Sequence, residues 1–293
     1  MAAGGSTKVV VAALLANAGI AIAKGVAAAV TGSGAMLAET IHSVADSGNQ
    51  ALLLLGAHRA KRPPDARHPF GYGSERYFWA FIVAMVLFSL GSLFSLYEGM
   101  HKIVHPEPIE SVGWAVGVLV TGLFLEGASF LVAHRAVTKA RAGRGFWHYF
   151  ARAKDPSLAI VYMEDFGALI GLLIALVGIC LSKYAGIAVA DGLATVLIGL
   201  LLGIIAIILA RRCHRLLIGE AANPDDARAI LAAARECDGI DEVLELKTLQ
   251  IGPEYIIVGL EIRLSGGPEA IDRLEAAIRE RVPAAKYIAV EPA

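Results

Sequence analysis

Long apolar runs alternate with short polar or basic connections over the first 215 residues. A membrane-spanning helix needs ~20 mostly apolar residues, and six segments meet that requirement: 8–30, 34–57, 77–102, 112–136, 157–182 and 187–213. After Gly219 the pattern changes to charged, soluble-looking sequence. Asn223-Pro224-Asp225-Asp226 is a helix-start signal, and Ala227 to Glu236 reads as a helix. Val243 to Ile251 reads as a strand. Ile256, Val258, Leu260, Ile262 and Leu264 then alternate with Ile257, Gly259, Glu261 and Arg263, as in a half-buried strand. Gly266-Gly267-Pro268 precedes an amphipathic helix over 268–281, and Tyr287 to Val290 closes with a short strand. The pattern predicts an α-helical membrane protein: six transmembrane helices over 1–215, followed by a small αββαβ (α+β) domain over 216–293. At ~75 residues that domain barely holds its own core, so packing against a second copy is expected.

Composition agrees with the periodicity. The chain is 56% hydrophobic and 18% charged, with a mean hydropathy of +0.61, far more apolar than a soluble domain. A net charge of −1 supplies no global field to recruit nucleic acid. Lysine and arginine are unevenly shared between the loops. Arg59, Lys61, Arg62, Arg67 and Arg76 follow the second segment. Arg135, Lys139, Arg141, Arg144, Arg152 and Lys154 follow the fourth, and Arg211, Arg212 and Arg215 end the sixth. The opposite loops carry little beyond Lys102 and Lys183. The positive-inside rule then places both termini, the basic loops and the C-terminal domain in the cytoplasm. No cleavable signal peptide is evident. Cys180, Cys213 and Cys237 are scattered and suggest neither a disulfide framework nor a cysteine zinc site.

Candidate chemistry lies inside the apolar segments. In the second, Glu39, His42, Asp46 and Asn49 recur at offsets of three and four and share one helical face. Ionisable groups are costly in a bilayer, so such a stripe faces protein, water or an ion. One turn apart, His42 and Asp46 can offer a nitrogen and a carboxylate to one divalent cation. The fifth segment offers Glu164 and Asp165. Adjacent helical residues point ~100° apart, so one is expected to bind and the other to support or carry a proton; Asp165, deeper in the segment, is the first choice. Asn17 and Lys24, seven apart in the first segment, Glu126 in the fourth and Asp191 opening the sixth are weaker candidates, for support or a proton path. The loop DARHPFGYGSER brings Asp65 and His68 close in sequence, as a secondary metal site or a structural turn. GRGFWHYF at 143–150 fits an interfacial anchor. No nucleophile-base set, phosphate loop or organic-cofactor motif emerges. The residues leave three classes open: a divalent-metal transporter, which is the expectation, a membrane-embedded metal enzyme, and a metal sensor without flux.

Six segments, His-x-x-x-Asp in the second, an acidic cluster in the fifth and a terminal αββαβ unit together resemble the cation diffusion facilitator family. The most specific pieces are AETIHSVADSGNQALLLLG at 38–56 and RPPDARHPFGYGSERYFWAFIVA at 62–84, which are similar to the branch that includes the mitochondrial zinc exporter. The resemblance implies a homodimeric, proton-coupled exporter and not an enzyme. It implies a tetrahedral transport site with two ligands each from the second and fifth segments. His42, Asp46 and Asp165 match ligand positions. The fourth falls on Val161, where the family usually has histidine or aspartate, and Glu164 is the candidate substitute. Asp65 and His68 match two members of a secondary site whose third position is Tyr72. Ligand type and resemblance rank Zn²⁺ first as cargo, with Mn²⁺, Fe²⁺ and Co²⁺ open.

Overall fold

The structure is a computed structural model that describes residues 3–31, 34–106 and 112–293, without the side chains of residues 3–5, 27, 28, 30, 31, 34–39, 41, 42 and 114. Helices α1 (Ala3–Thr31) and α2 (Gly34–Arg59) form an antiparallel pair. The third apolar run begins as α3 (Glu75–Val86), passes through a π-helical segment at Leu87–Leu93 and continues as α4 (Phe94–Val104). Then follow α5 (Val112–Arg141), the short α6 (Phe146–Arg152), α7 (Ser157–Tyr184) and α8 (Ala190–Ile218). Ala142 and Gly143, with φ of 48° and 81°, break the chain between α5 and α6.

Among the described residues, five helical stretches are long and apolar enough to cross a membrane: Ser6–Val26, Glu75–Val104, Ala115–Arg141, Ser157–Tyr184 and Ala190–Ile218. The expected second span, α2, is not among them; the side chains of residues 34–39, 41 and 42 lie outside those described, and its remainder carries Asp46, Asn49 and Gln50. Large apolar side chains stay exposed on the outer faces, including Leu15 and Ile22 of α1, Phe124 of α5, Val177 of α7 and Ile204 of α8. These are the surfaces a bilayer covers. Inside, one apolar cluster joins Val10 and Ala13 of α1, Leu53 of α2, Ala80 and Val83 of α3, Ile160 and Val161 of α7, and Leu209 of α8.

Helix α4 and helix α8 meet backbone to backbone. A Cβ on Gly99 would stand 2.7 Å from the amide nitrogen of Val196, and one on Gly199 would stand 2.9 Å from that of Leu96. Small residues at such a crossing let van der Waals packing hold helices together where lipid removes the usual hydrophobic drive.

The remaining chain forms α9 (Pro224–Arg235), β1 (Ile240–Gly252), β2 (Tyr255–Leu264), α10 (Pro268–Arg281) and β3 (Ala285–Pro292). The sheet order is β1-β2-β3, with β1 antiparallel and β3 parallel to β2. Ile256, Val258, Leu260 and Ile262 of β2 point into a second core against Ile230 of α9 and Leu274 and Ile278 of α10. Thus the period-two alternation in the sequence is the inward face of the central strand.

Polar contacts join this unit to the basic end of the helices. Glu220 accepts from Lys154 at 2.9 Å and from Arg212 at 2.6 Å, and pairs with Arg215 at 3.1 Å. Arg212 also donates to the Ala153 carbonyl at 2.7 Å. Arg76 at the start of α3 pairs with Asp155 before α7 at 3.0 Å and reaches Thr7 of α1 at 3.3 Å. Gly73 lies so close to the β1–β2 turn that a Cβ would stand 2.7 Å from the Ile251 carbonyl oxygen, and Ser74 donates to that oxygen at 3.0 Å.

Candidate metal centre

Helix α2 is held in register by its neighbours. Asn17 of α1 donates to Gln50 at 3.2 Å, and Lys24 of α1 donates to Ser43 at 3.1 Å. Seven residues separate the two contacts on each helix, 17 to 24 and 43 to 50, so they form two rungs about two turns apart. The stretch between them carries Asp46 and Asn49. Asn49 is buried and donates to Glu164 Oε1 at 2.9 Å, fastening α2 to α7. The other oxygen, Glu164 Oε2, is buried without a hydrogen-bond partner among the described residues. The side chains of Glu39 and His42 lie outside the described residues.

Glu164 and Asp165 diverge, as adjacent helical positions must. Glu164 turns toward α2. Asp165, 3% exposed, turns toward α5, where Ser129 donates to its Oδ2 at 3.0 Å. One turn before Ser129 on α5 stands Glu126, 5% exposed. Asp46 stands three residues before Asn49 on α2, as Glu126 stands three before Ser129 on α5, so each shares a helical face with a group that donates to an α7 carboxylate. Four carboxylates thus lie on the three helices these hydrogen bonds join: Asp46 on α2, Glu126 on α5, Glu164 and Asp165 on α7. Such a group calls for compensating cations or protons. Among the described residues, no three histidine, cysteine or acidic side chains meet closely enough to enclose a metal ion.

Val161 is fully buried in the apolar cluster. Beside it lies a cavity of about 40 Å³ walled by Ala12, Ala13 and Ala16 of α1 and Ser129, Val132 and Ala133 of α5. This position contributes shape and no donor atom.

The other sequence candidates lie apart. Asp191 pairs with Lys102 of α4 at 3.0 Å. In the loop, Asp65 Oδ1 accepts from the backbone amides of Arg67 and His68 at 2.9 and 2.7 Å, and Oδ2 accepts from the Tyr72 hydroxyl at 2.6 Å. The Tyr72 hydroxyl and the His68 amide hold the Asp65 carboxyl below the usual aspartate range. Both oxygens are thus engaged in a turn, and His68 Nδ1 stands 3.4 Å from Oδ1. The aromatic stretch after α5 forms α6, with Phe150 buried and Trp147 exposed.

Sequence reasoning ranked Glu126 low and did not name Ser129 or Ser43. A signal for the first two existed: Glu126 and Ser129 stand three apart, which puts them on one face of an otherwise apolar helix.

A family model described as the cation efflux transmembrane domain matches residues 10–218. The mitochondrial proton-coupled zinc antiporter SLC30A9 of Xenopus laevis is 33% identical over 238 residues, which cover 80% of this chain and 43% of that protein. Metal tolerance protein C4 of Arabidopsis thaliana is 35% identical over 233 residues, covering 79% of this chain and 51% of its own. The cation-efflux pump FieF of Klebsiella pneumoniae is 28% identical over 268 residues, covering 88% and 83%. The chain spans about half the length, or less, of the first two.

Proposed function

The chain belongs to the cation efflux family, and we propose that it exports divalent metal ions, Zn²⁺ first among them, in exchange for protons. One observation carries this reading: four buried or half-buried carboxylates lie on α2, α5 and α7 inside a bundle of membrane-crossing helices, with Asn49 of α2 and Ser129 of α5 donating to the two on α7. Fixed negative charge at that depth is sustained only if a cation or protons visit it. In this reading His42, Asp46, Glu164 and Asp165 supply the ligands, and the arriving ion draws together the α7 carboxylates that diverge without it. Asn49 and Ser129 orient the α7 carboxylates, and Glu126 receives protons beside Asp165. Metal and protons compete for the same lone pairs, so a site opening alternately to the two sides releases metal outward and takes up protons. Protonation also lowers the cost of carrying the empty site back through a low-dielectric bundle.

The carboxylate-rich set, with Val161 apolar where a histidine would add a nitrogen, favours Mn²⁺ and Fe²⁺ as competing cargo. Both termini and the αββαβ unit face the cytoplasm, as the loop arginines and lysines require. The working unit is a homodimer joined through that C-terminal unit. Proteoliposome flux driven by a pH gradient tests the transporter reading. Wild type takes up Zn²⁺ in step with the gradient, and Asp46→Ala and Asp165→Ala each abolish uptake while remaining folded. Tight metal binding with no flux in wild type overturns it in favour of a sensor; normal flux in Asp165→Ala removes Asp165 from the site.

A further inference from the structure

The connection from α5 to α7 carries more positive charge than its ion pairs use, and the surplus lines a cavity. This cavity, of about 1170 Å³, is bounded by the last turns of α5, by α6, by the start of α7 and by the near loops of the αββαβ unit. Ala136 and Lys139 belong to one crossing stretch and Leu158 to another, so the cavity begins where two crossing helices end. Helix α6 lies beside it with Trp147 61% exposed, as an interfacial anchor would be. Six lysines and arginines and four acids line the space, a surplus of two positive charges. Arg144 is paired with Asp225 at 3.0 Å and Lys154 with Glu220 at 2.9 Å, while Arg76 takes Asp155 at 3.0 Å. Lys139, Arg141, Arg152 and Lys286 have no ion pair among the described residues, and Asp226 and Glu254 are the acids that stand against them. Arg141 is half-buried, and its Nε is buried with no hydrogen-bond partner among the described residues. Leaving such a donor unmet is costly, and an anionic oxygen would meet it. The bias of basic residues toward one side of a membrane works from any place along a loop. It does not require four unpaired cations to wall one concavity.

We propose that this cavity binds the headgroup of an anionic phospholipid from the leaflet at the basic end of the helices. Basic pockets at the ends of crossing helices suit such headgroups, because the phosphate meets fixed cations while the acyl chains stay in the bilayer. The space exceeds that of a common small-ligand site, about 300–1,000 Å³, and so admits a phosphoglycerol headgroup. A dication would be repelled there, which separates this cavity from the carboxylates of α2, α5 and α7. Arg141 ends α5 and Lys286 belongs to β3. A bound headgroup therefore ties the αββαβ unit to the helical bundle. Nothing in the proposal depends on the transported ion.

The test follows the melting temperature of the full chain in a neutral detergent. Dioctanoyl phosphatidylglycerol, dioctanoyl phosphatidylcholine and inorganic phosphate are each titrated in. A ligand of the folded state raises the melting temperature in a saturable way. Phosphatidylglycerol is expected to do so, and the other two are not. The variant Lys139→Gln/Arg152→Gln/Lys286→Gln should need on the order of tenfold more phosphatidylglycerol for the half-maximal shift, since each cation beside an anionic headgroup contributes a few-fold. Lys61→Gln/Arg67→Gln/Arg211→Gln removes the same charge from exposed positions outside the cavity. Its midpoint should stay within about twofold of wild type at physiological salt, where exposed charges beyond about 8 Å are largely screened. Equal weakening in both variants reduces the effect to general surface charge and overturns the site. A shift with inorganic phosphate as large as that with phosphatidylglycerol overturns the lipid assignment. Equal responses of wild type to the two lipids overturn the proposal outright. Should the cavity variant not fold, Arg152→Glu, a single change at an exposed position, decides: an unchanged midpoint sinks the proposal.

Discussion

At the scale of single residues, Glu164 is held in two unlike ways. One oxygen accepts from Asn49 at 2.9 Å, while the other is buried with no hydrogen-bond partner among the described residues. An unsatisfied buried carboxylate oxygen is expensive, and a metal ion or a proton is what would satisfy it. Glu164→Gln keeps the shape and an acceptor for Asn49 but removes the charge. Calorimetric titration should find metal affinity lowered about 10- to 100-fold in this variant, and by a smaller factor in Asn49→Ala, which loses the orienting contact alone. Unchanged affinity in Glu164→Gln would return Glu164 to a structural part between α2 and α7. The sequence showed that the two α7 carboxylates could not share one direction, because that follows from ~100° per residue. It did not show which turns toward α2, since this depends on how α7 is rotated against two neighbours.

At the scale of helices, the polar stripe of α2 and the apolar runs were readable because periodicity is local. The contacts between helices were not. The α4–α8 crossing is an example: Gly99, Gly192 and Gly199 are unremarkable in sequence, yet their missing side chains let two backbones touch. Gly199→Ile should lower stability by about 1–3 kcal/mol through overpacking against Leu96, seen as a lower melting temperature of the detergent-solubilised protein. Gly117→Ala is the control. Its new Cβ would meet nothing within 4 Å, so the melting temperature should hold or rise slightly. An equal loss in both variants would show that α8 does not depend on this close approach.

At the scale of the molecule, Glu220 links the two cores. Burial pushes its carboxyl up, but hydrogen bonds from Lys154 and Arg212, and their charges, outweigh this and leave it below the usual glutamate value of 4.5. A depressed folded value stabilises the protein above the unfolded value, and the contribution disappears as pH falls through the folded value. Melting temperature should therefore hold from neutral pH to about 5 and drop below the ordinary glutamate range, whereas Glu220→Gln should start lower at pH 7 and fall less steeply in acid. Identical acid limbs would remove Glu220 as the linking group. Nothing in local sequence marks Glu220, because its partners come from 66 and 8 residues away.

The π-helical segment at Leu87–Leu93 constrains how this chain can vary over evolutionary time. Such a segment holds one residue more than an α-helix spanning the same register. Deleting that residue would leave a straighter helix, but would turn every later side chain of α4 by about 100°. Gly99 would then leave the face it presents to Val196, and a bulkier neighbour would meet the α8 backbone. Insertions and deletions are thus confined to connections such as 142–145, while the length of the third crossing stays fixed to the residue.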